Sequence, residues 1–279
     1  MDRESEYLTG LFDLSGKVAV ATGGGGVLVG TMSRALGRAG VKVAVLDLIL
    51  EAAQRVAGEI EAAGGQAIAV KCDALDKTSV ETACTRVLER FGQVDILING
   101  AGGNKKQATT GPELSFFDLS SEAVQWVFNL NFIGTLLPSQ VFGRILAEQG
   151  EGVILNVSSL NALRPLTKIP AYSAAKAAVS NFTQWLAVHM AKEYSNKIRV
   201  NAIAPGFFLT EQNRFLLIDE ATGELTSRGK TIIDHTPVGR FGNPDDLIST
   251  VLWLLSPGAA FVHGVVIPVD GGFSAFSGV

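Results

Sequence analysis

Tyr172 and Lys176 stand four residues apart within AYSAAKAAVSNFTQWLAVHMAKEY, a segment of strong helical character, so both side chains are expected on one helix face. A phenol with an ordinary pKa of about 10 is a poor base at neutral pH, and each unit of depression takes about 1.4 kcal/mol of preference for the phenolate. A neighbouring ammonium is a direct source of that preference. Ser159, at the end of the fifth apolar run, adds a hydroxyl able to polarise a carbonyl from the other side. Taken singly, the three read as an interfacial tyrosine, a solvated helix charge and a turn residue. Taken together they point to proton transfer at an alcohol or carbonyl. Metal catalysis has no support, because His189, His235 and His263 are scattered without ligand spacing.

The elements that must carry these residues are legible as a rhythm. Short apolar runs rich in Val and Ile recur: VAVAT from Val18, VKVAVLD from Val41, AIAVKCD from Ala67, VDILIN from Val94, GVILNVSS from Gly152, IRVNAIAP from Ile198 and VVIPVD from Val265. Near-continuous apolar strands separated by helices predict a parallel sheet covered on both faces. The intervening segments LEAAQRVAGEIEAAGG and KTSVETACTRVLERFG have helical spacing and end on Gly64-Gly65 and Gly92, glycines of the kind that close helices. The expected fold is α/β: one Rossmann-type, doubly wound parallel sheet of about seven strands spanning residues 1–279 as a single domain. Two polar, irregular stretches, 103–120 and 207–236, leave the carboxyl ends of strands four and six, where such sheets bind ligands. They are expected to select the substrate, the second as a lid-like insertion.

After the first strand comes Thr22-Gly23-Gly24-Gly25-Gly26-Val27-Leu28-Val29-Gly30, leading into MSRALGRAG. Glycines there let the backbone approach a pyrophosphate, and the following helix offers free N–H groups and a positive dipole end. The plain alternative is a tight strand-to-helix turn. Asp47, about 20 residues on at the end of the second strand, can accept hydrogen bonds from adenosine ribose hydroxyls and would repel a 2′-phosphate, which favours NAD over NADP. Its alternative reading is a cap for the helix starting near Leu50. Asp73 closes the third strand, where it can accept from an adenine amino group or simply end the strand. Asn99 closes the fourth beside Gly100-Ala101-Gly102, another close backbone approach.

Composition narrows the classes. The chain has 279 residues, 47% hydrophobic and 18% charged, enough for a sizeable core without splitting into several domains. A net charge of -4 with both signs interspersed lacks the basic stripe of a nucleic-acid binder. Cys72 and Cys84 sit in an apolar run and a helical pattern, which reads as buried thiols in a reducing compartment. Met1 to Tyr7 is acidic and polar, and no apolar stretch reaches the roughly 20 residues of a membrane span. The expectation is a soluble, cytoplasmic protein with no membrane contact.

Together these residues resemble the short-chain dehydrogenase/reductase family, whose Ser, then Tyr thirteen residues on, then Lys four beyond, is matched by Ser159, Tyr172 and Lys176. The resemblance covers nearly the whole chain. It includes Asn99-Gly100-Ala101-Gly102, Asn131 in NFIGT, Pro205-Gly206 with Thr210, and Val269-Asp270-Gly271-Gly272. It implies that Tyr172 exchanges the substrate proton and Ser159 orients the carbonyl. Lys176 would lower the tyrosine pKa and bind the nicotinamide ribose, while Asn131 holds a water linking Lys176 to solvent. It also implies NAD contacts from Gly23, Gly26, Val27, Leu28, Asp47, Asp73, Ala74, Asn99, Gly100, Ala101, Pro205, Gly206, Phe208 and Thr210, besides Tyr172 and Lys176. One departure stands out: where the family has glycines five and seven residues after the turn threonine, this chain has Val27 and Val29. The turn is therefore expected to be built on Gly26 and Gly30.

Within the family, TGGGGVL, GGNKKQATT, FFLTEQNRFLL, HTPVGRFG and VIPVDGGFSAFSGV are similar to the fructuronate reductase (D-mannonate oxidoreductase) branch. That implies an anionic sugar acid as substrate, which needs cationic and hydrogen-bonding groups in its pocket. Asn104, Lys105, Asn161, Arg164, Lys168, Asn213 and Arg214 occupy the expected loops, and Asn104, Asn161 and Arg214 are the preferred substrate contacts, with Ser159 and Tyr172. Other polyol or keto-acid reductases of the gluconate 5-dehydrogenase kind, a 3-oxoacyl carrier-protein reductase, and a non-catalytic NAD(H) sensor remain as alternatives. Ala174, Ala178 and Phe182 suggest helix pairing between subunits, and the family resemblance implies a homotetramer.

Overall fold

A computed structural model of the protein describes residues 3–210, 214–219 and 222–278. All seven apolar runs form strands: β1 (Val18–Thr22), β2 (Lys42–Asp47), β3 (Gln66–Lys71), β4 (Ile96–Asn99), β5 (Gly152–Val157), β6 (Ile198–Pro205) and β7 (Val266–Val269). They make one sheet in the order β3-β2-β1-β4-β5-β6-β7, with every neighbouring pair parallel. The helices are α1 (Arg3–Phe12), α2 (Val27–Arg38), α3 (Leu50–Ala62), α4 (Lys77–Phe91), α5 (Ser121–Gln149), α6 (Pro170–Glu193), α7 (Arg214–Leu217), α8 (Ser227–Asp234) and α9 (Ile248–Leu255).

The side-chain alternation of β1 shows how the layers are divided. Ala19 and Ala21 face one apolar cluster with Met32, Leu36, Val56 and Val251 of α2, α3 and α9. Val18 and Val20 face the other, with Val80, Val87, Phe142 and Leu186 of α4, α5 and α6. Both faces are therefore covered, which is why the strands read as continuous apolar runs rather than alternating ones.

Local signals close the helices. The Asp76 carboxylate accepts from Thr78 N–H at the start of α4, and Gly92 closes it at φ 79°. Ser120 caps α5 by accepting from Ala123 N–H, and Gly150 ends it at φ 80°. Strand order reverses between β1 and β4, and the crevice at that switch point is where a doubly wound sheet receives its ligand.

The polar N-terminus folds as α1, whose Leu11 carbonyl lies against Gly258. Two features depart from expectation. The 207–236 stretch is not irregular throughout: it contains α7 and α8, the latter capped by Thr226, whose hydroxyl accepts from Gly229 N–H. Nor do Ala174, Ala178 and Phe182 form one outward stripe, because Phe182 turns inward against Phe132 at 5.8 Å while Ala174 is exposed.

Candidate active site

The carboxyl ends of β1, β2, β4, β5 and β6 border a cavity of about 590 Å³. Its nucleotide-side wall is the glycine turn. Gly23 takes φ 65°, in the region that favours glycine, and a Cβ there would lie 2.9 Å from the Ala101 backbone. Gly26 is the N-cap of α2, Gly30 N–H donates to Gly26 at 2.7 Å, and Gly30 packs against Gly24 and Val56. The turn thus rests on Gly23, Gly26 and Gly30, and Val27 and Val29 lie within the first turn of α2. Asp47 Oδ2 accepts from Gly25 N–H at 2.9 Å and Oδ1 accepts from Ile49 N–H at 3.0 Å. Arg55 donates to the Gly25 carbonyl at 3.0 Å, so the turn is held from both sides. A side-chain-free floor, an exposed helix N-terminus and an acidic far end fit a dinucleotide.

Gly23, Gly26, Val27, Leu28, Asp47, Asp73, Ala74, Gly100, Ala101, Pro205, Gly206, Phe208 and Thr210 all line this cavity, as do Ser159, Tyr172 and Lys176. Asn99 does not. Its amide is buried behind the wall, donating to Ser139 Oγ and Asn156 Oδ1 at 2.9 Å each, so it ties β4 to α5 and β5 rather than facing a ligand. Thr22 holds the 100–102 turn: its Oγ1 accepts from Gly100 and Ala101 N–H at 3.2 and 3.3 Å.

At the other end, Tyr172 and Lys176 share one face of α6, with Nζ 5.7 Å from the phenol ring centre. Lys176 is buried and donates to the Val157 carbonyl at 2.7 Å, and burial lowers its pKa to about 8. Burial pushes the Tyr172 phenol above its ordinary value, opposed by a hydrogen bond with Ser159. Within the protein itself the Lys176 ammonium stands beside the phenol while one of its protons goes to a backbone carbonyl, and the Ser159 hydrogen bond favours the phenolate. Asn131 is fully buried, and its amide is committed to backbone: Nδ2 donates to Gly103 and Val127 carbonyls at 2.7 and 2.8 Å, and Oδ1 accepts from Gly103 N–H at 3.2 Å. It clamps the 100–103 turn against α5. Gly102 sits in that clamp, where a Cβ would come 2.7 Å from Asn131 Oδ1 and 3.2 Å from Lys176 Nζ.

The expected substrate contacts separate in space. Asn104 is exposed and donates to Thr109 Oγ1 at 3.0 Å. Arg214 is exposed at the start of α7, its N–H bonded to the Thr210 carbonyl, and Asn213 lies outside the described residues. Asn161 is buried and lines a separate hollow of about 540 Å³ with Thr110, Lys168 and Ser173. Arg164 donates to the Ser274 carbonyl at 3.0 Å, and Lys105 stands 4.1 Å over the Trp126 ring. The carboxyl-terminal tail gathers the loops: Phe273 packs on Phe207 at 5.2 Å, and Phe273 and Phe276 flank His235. Its repeated aromatics were the available signal. His263 bonds Val200 N–H and the Ala187 carbonyl, and His189 stacks on Trp185 at 4.6 Å. Among the described residues no cluster could hold a metal ion, and no helix is long and apolar enough to cross a membrane.

A family model described as enoyl-(acyl carrier protein) reductase matches residues 30–274. An uncharacterized oxidoreductase of Bacillus subtilis, UxuB, is 51% identical over 276 residues, covering 96% of this chain and 98% of the relative. A 7alpha-hydroxysteroid dehydrogenase of Escherichia coli is 32% identical over 93% of this chain and 94% of its own, and a 2-dehydro-3-deoxy-D-gluconate 5-dehydrogenase of Dickeya dadantii 31% over 95% and 98%. Among solved structures, a Haemophilus influenza protein provisionally named D-mannonate oxidoreductase, with bound NAD, superposes with a TM-score of 0.90 at 46% identity, covering 96% of this chain and 98% of that one. With the Ser159, Tyr172 and Lys176 arrangement in place, these matches identify the chain as a member of the short-chain dehydrogenase/reductase family, an oxidoreductase acting on CH–OH groups.

Proposed function

We propose that the protein is an NAD(H)-dependent oxidoreductase that interconverts a secondary alcohol and a ketone on an anionic sugar acid of the D-fructuronate/D-mannonate type. The observation that carries this reading is one cavity with Asp47 at its nucleotide end and Ser159, Tyr172 and Lys176 at the other. When bound, the nicotinamide supplies or takes the hydride. The chain's own part is the proton. A phenol whose pKa is raised by burial is protonated at neutral pH, the form that donates to a carbonyl oxygen during reduction. Ser159 donates a hydrogen bond to the same oxygen, and the Lys176 ammonium lies beside the phenol ring. Selection of NAD rests on the Asp47 carboxylate.

Support for the sugar acid comes from the name of the Haemophilus structure and from the sequence signatures shared with that branch, TGGGGVL, GGNKKQATT and FFLTEQNRFLL among them. Segment 207–236 and the carboxyl-terminal tail form the substrate-side cover in this reading. We further propose a homotetramer working in the cytoplasm, where the free, buried thiols of Cys72 and Cys84 stay reduced.

The test is oxidation of NADH and NADPH by purified protein against D-fructuronate, 5-keto-gluconate, neutral ketoses, a steroid ketone and an acetoacetyl thioester. Selective turnover of the hexuronate with NADH supports the reading; turnover confined to another class replaces the substrate, and none at all favours a sensor. With the best substrate, Tyr172→Phe should lose about 10²- to 10⁴-fold in kcat while NADH affinity, read by fluorescence titration, stays within about threefold. Near wild-type turnover of that variant would end the proton-donor assignment.

A further inference from the structure

The Ser159 hydroxyl accepts two hydrogen bonds from the side away from Tyr172. A hydroxyl has two acceptor lone pairs and one proton. Both acceptor positions of Ser159 Oγ are taken by one residue: Asn161 donates to it from its backbone N–H at 3.2 Å and from its side-chain Nδ2 at 3.1 Å. The amide is fixed in turn, because Ser173 Oγ donates to Asn161 Oδ1 at 3.2 Å. All three side chains are buried, at 6%, 7% and 8% exposure. Ser159 and Tyr172 line the catalytic cavity, whereas Asn161 and Ser173 line the hollow behind it.

We propose that Asn161 is a positioning residue that makes Ser159 an obligate donor, aiming its single proton at the Tyr172 and substrate oxygens. With both lone pairs engaged, the hydroxyl cannot turn to donate backwards without breaking a bond, so its direction is set before substrate arrives. The chain of bonds runs from Ser173 through Asn161 and Ser159 to Tyr172, and each donor polarises the next. Its use is pre-organisation: no hydroxyl rotation is needed as negative charge develops on the substrate oxygen. Asn161 acts through Ser159 and not by touching substrate, which replaces the substrate contact expected of it from sequence. The proposal rests on the proton-transfer roles given above to Ser159 and Tyr172.

Two substitutions separate the possibilities. Asn161→Asp keeps the size but presents only acceptors, so Ser159 should donate backwards to the carboxylate. Asn161→Leu removes the donor without adding charge. With the best substrate of the panel, Asn161→Asp should lower kcat by about 100-fold, approaching Ser159→Ala, with KM changed by less than about threefold. Asn161→Leu should lose less. In the Ser159→Ala background neither change should lower kcat further, because the residue it acts through is gone. Losses that multiply in that background, or that fall on KM, would show direct substrate contact and overturn the proposal, as would an Asn161→Asp enzyme of wild-type kcat.

A readout without substrate keeps the proposal separate from the substrate assignment. Tyr172 is one of three tyrosines, so its ionisation can be isolated as the ultraviolet titration difference between the wild-type protein and Tyr172→Phe. Asn161→Leu should move that ionisation upward in the wild-type background and leave it in place in the Ser159→Ala background. An unmoved titration counts against the proposal even if every substrate tried is inactive; a moved titration with no turnover upholds the positioning and sinks only the activity assigned above.

Discussion

Residue Asp47 illustrates how one carboxylate carries two loads. It faces the cavity, where its charge would repel a ribose 2′-phosphate, and it also holds Gly25 and Ile49 N–H groups at 2.9 and 3.0 Å. Asp47→Ser should narrow the NAD over NADP preference in kcat/KM by about tenfold or more, since each tenfold corresponds to about 1.4 kcal/mol. It should also weaken both cofactors somewhat through the loosened turn. An unchanged ratio would mean that another group reads the ribose. Lys176 carries a different cost. Its pKa of about 8 in the fold lies below the ordinary 10.5, so between those values the unfolded chain binds the extra proton and stability rises with pH. A gap of about 2.5 pH units at about 1.4 kcal/mol each gives roughly 3 kcal/mol. Cys72 and Cys84, raised from 9.0 to about 11, work in the opposite sense between pH 9 and 11. The useful quantity is therefore the stability of wild type minus that of Lys176→Met, from denaturant unfolding. It should rise from pH 8 to 10.5 and be flat below pH 7, with a pH-independent offset for the lost bond to Val157.

Elements matter where one clamps another. Asn131 on α5 grips Gly103, and Gly102 leaves room for both Asn131 and Lys176. Gly102→Ala should leave the melting temperature within a few degrees but lower kcat/KM by about 10- to 100-fold, because shifts well under 1 Å at reacting groups are expensive. Wild-type kinetics in that variant would mean the turn absorbs the methyl without moving Lys176. The seven strands and the α6 pairing of Tyr172 with Lys176 were legible in sequence because apolar runs and a spacing of four are local patterns. The sequence could not separate Asn99 from its neighbours: a strand-end asparagine looks alike whether it faces a ligand or, as here, Ser139 and Asn156. Likewise Asn161 looked like a substrate contact, and only the three-dimensional arrangement shows its donors spent on Ser159. The direction of the Lys176 ammonium, too, depends on Val157, nineteen residues away.

For the whole molecule, the outer face of α4, α5 and α6 is the surface suited to a subunit contact. The two long helices pack side by side, and around them a hollow of about 910 Å³ is lined by Leu88, Leu136, Ile145, Phe182 and Trp185. Trp185 is 57% exposed and stacks on His189, while Val188 is 62% exposed. A 24-residue helix such as α6 is about 36 Å long, which is enough edge for a twofold pairing of the α5 and α6 faces to approach the roughly 800 Å² per partner of a stable interface. In the proposed tetramer a central aromatic on such a face carries a large share of the binding energy. Trp185→Glu places a charge there and should convert the assembly to dimers or monomers, read by sedimentation velocity across a range of concentrations. Its melting temperature should fall and become concentration-dependent, because association stabilises by mass action. The cavity lies at the carboxyl ends of the strands and shares no lining residue with this hollow, so turnover per subunit should survive in whatever folded protomer remains. An unchanged sedimentation coefficient would place the subunit contact on another face, and a wild-type protein that sediments as a monomer would remove the tetramer altogether.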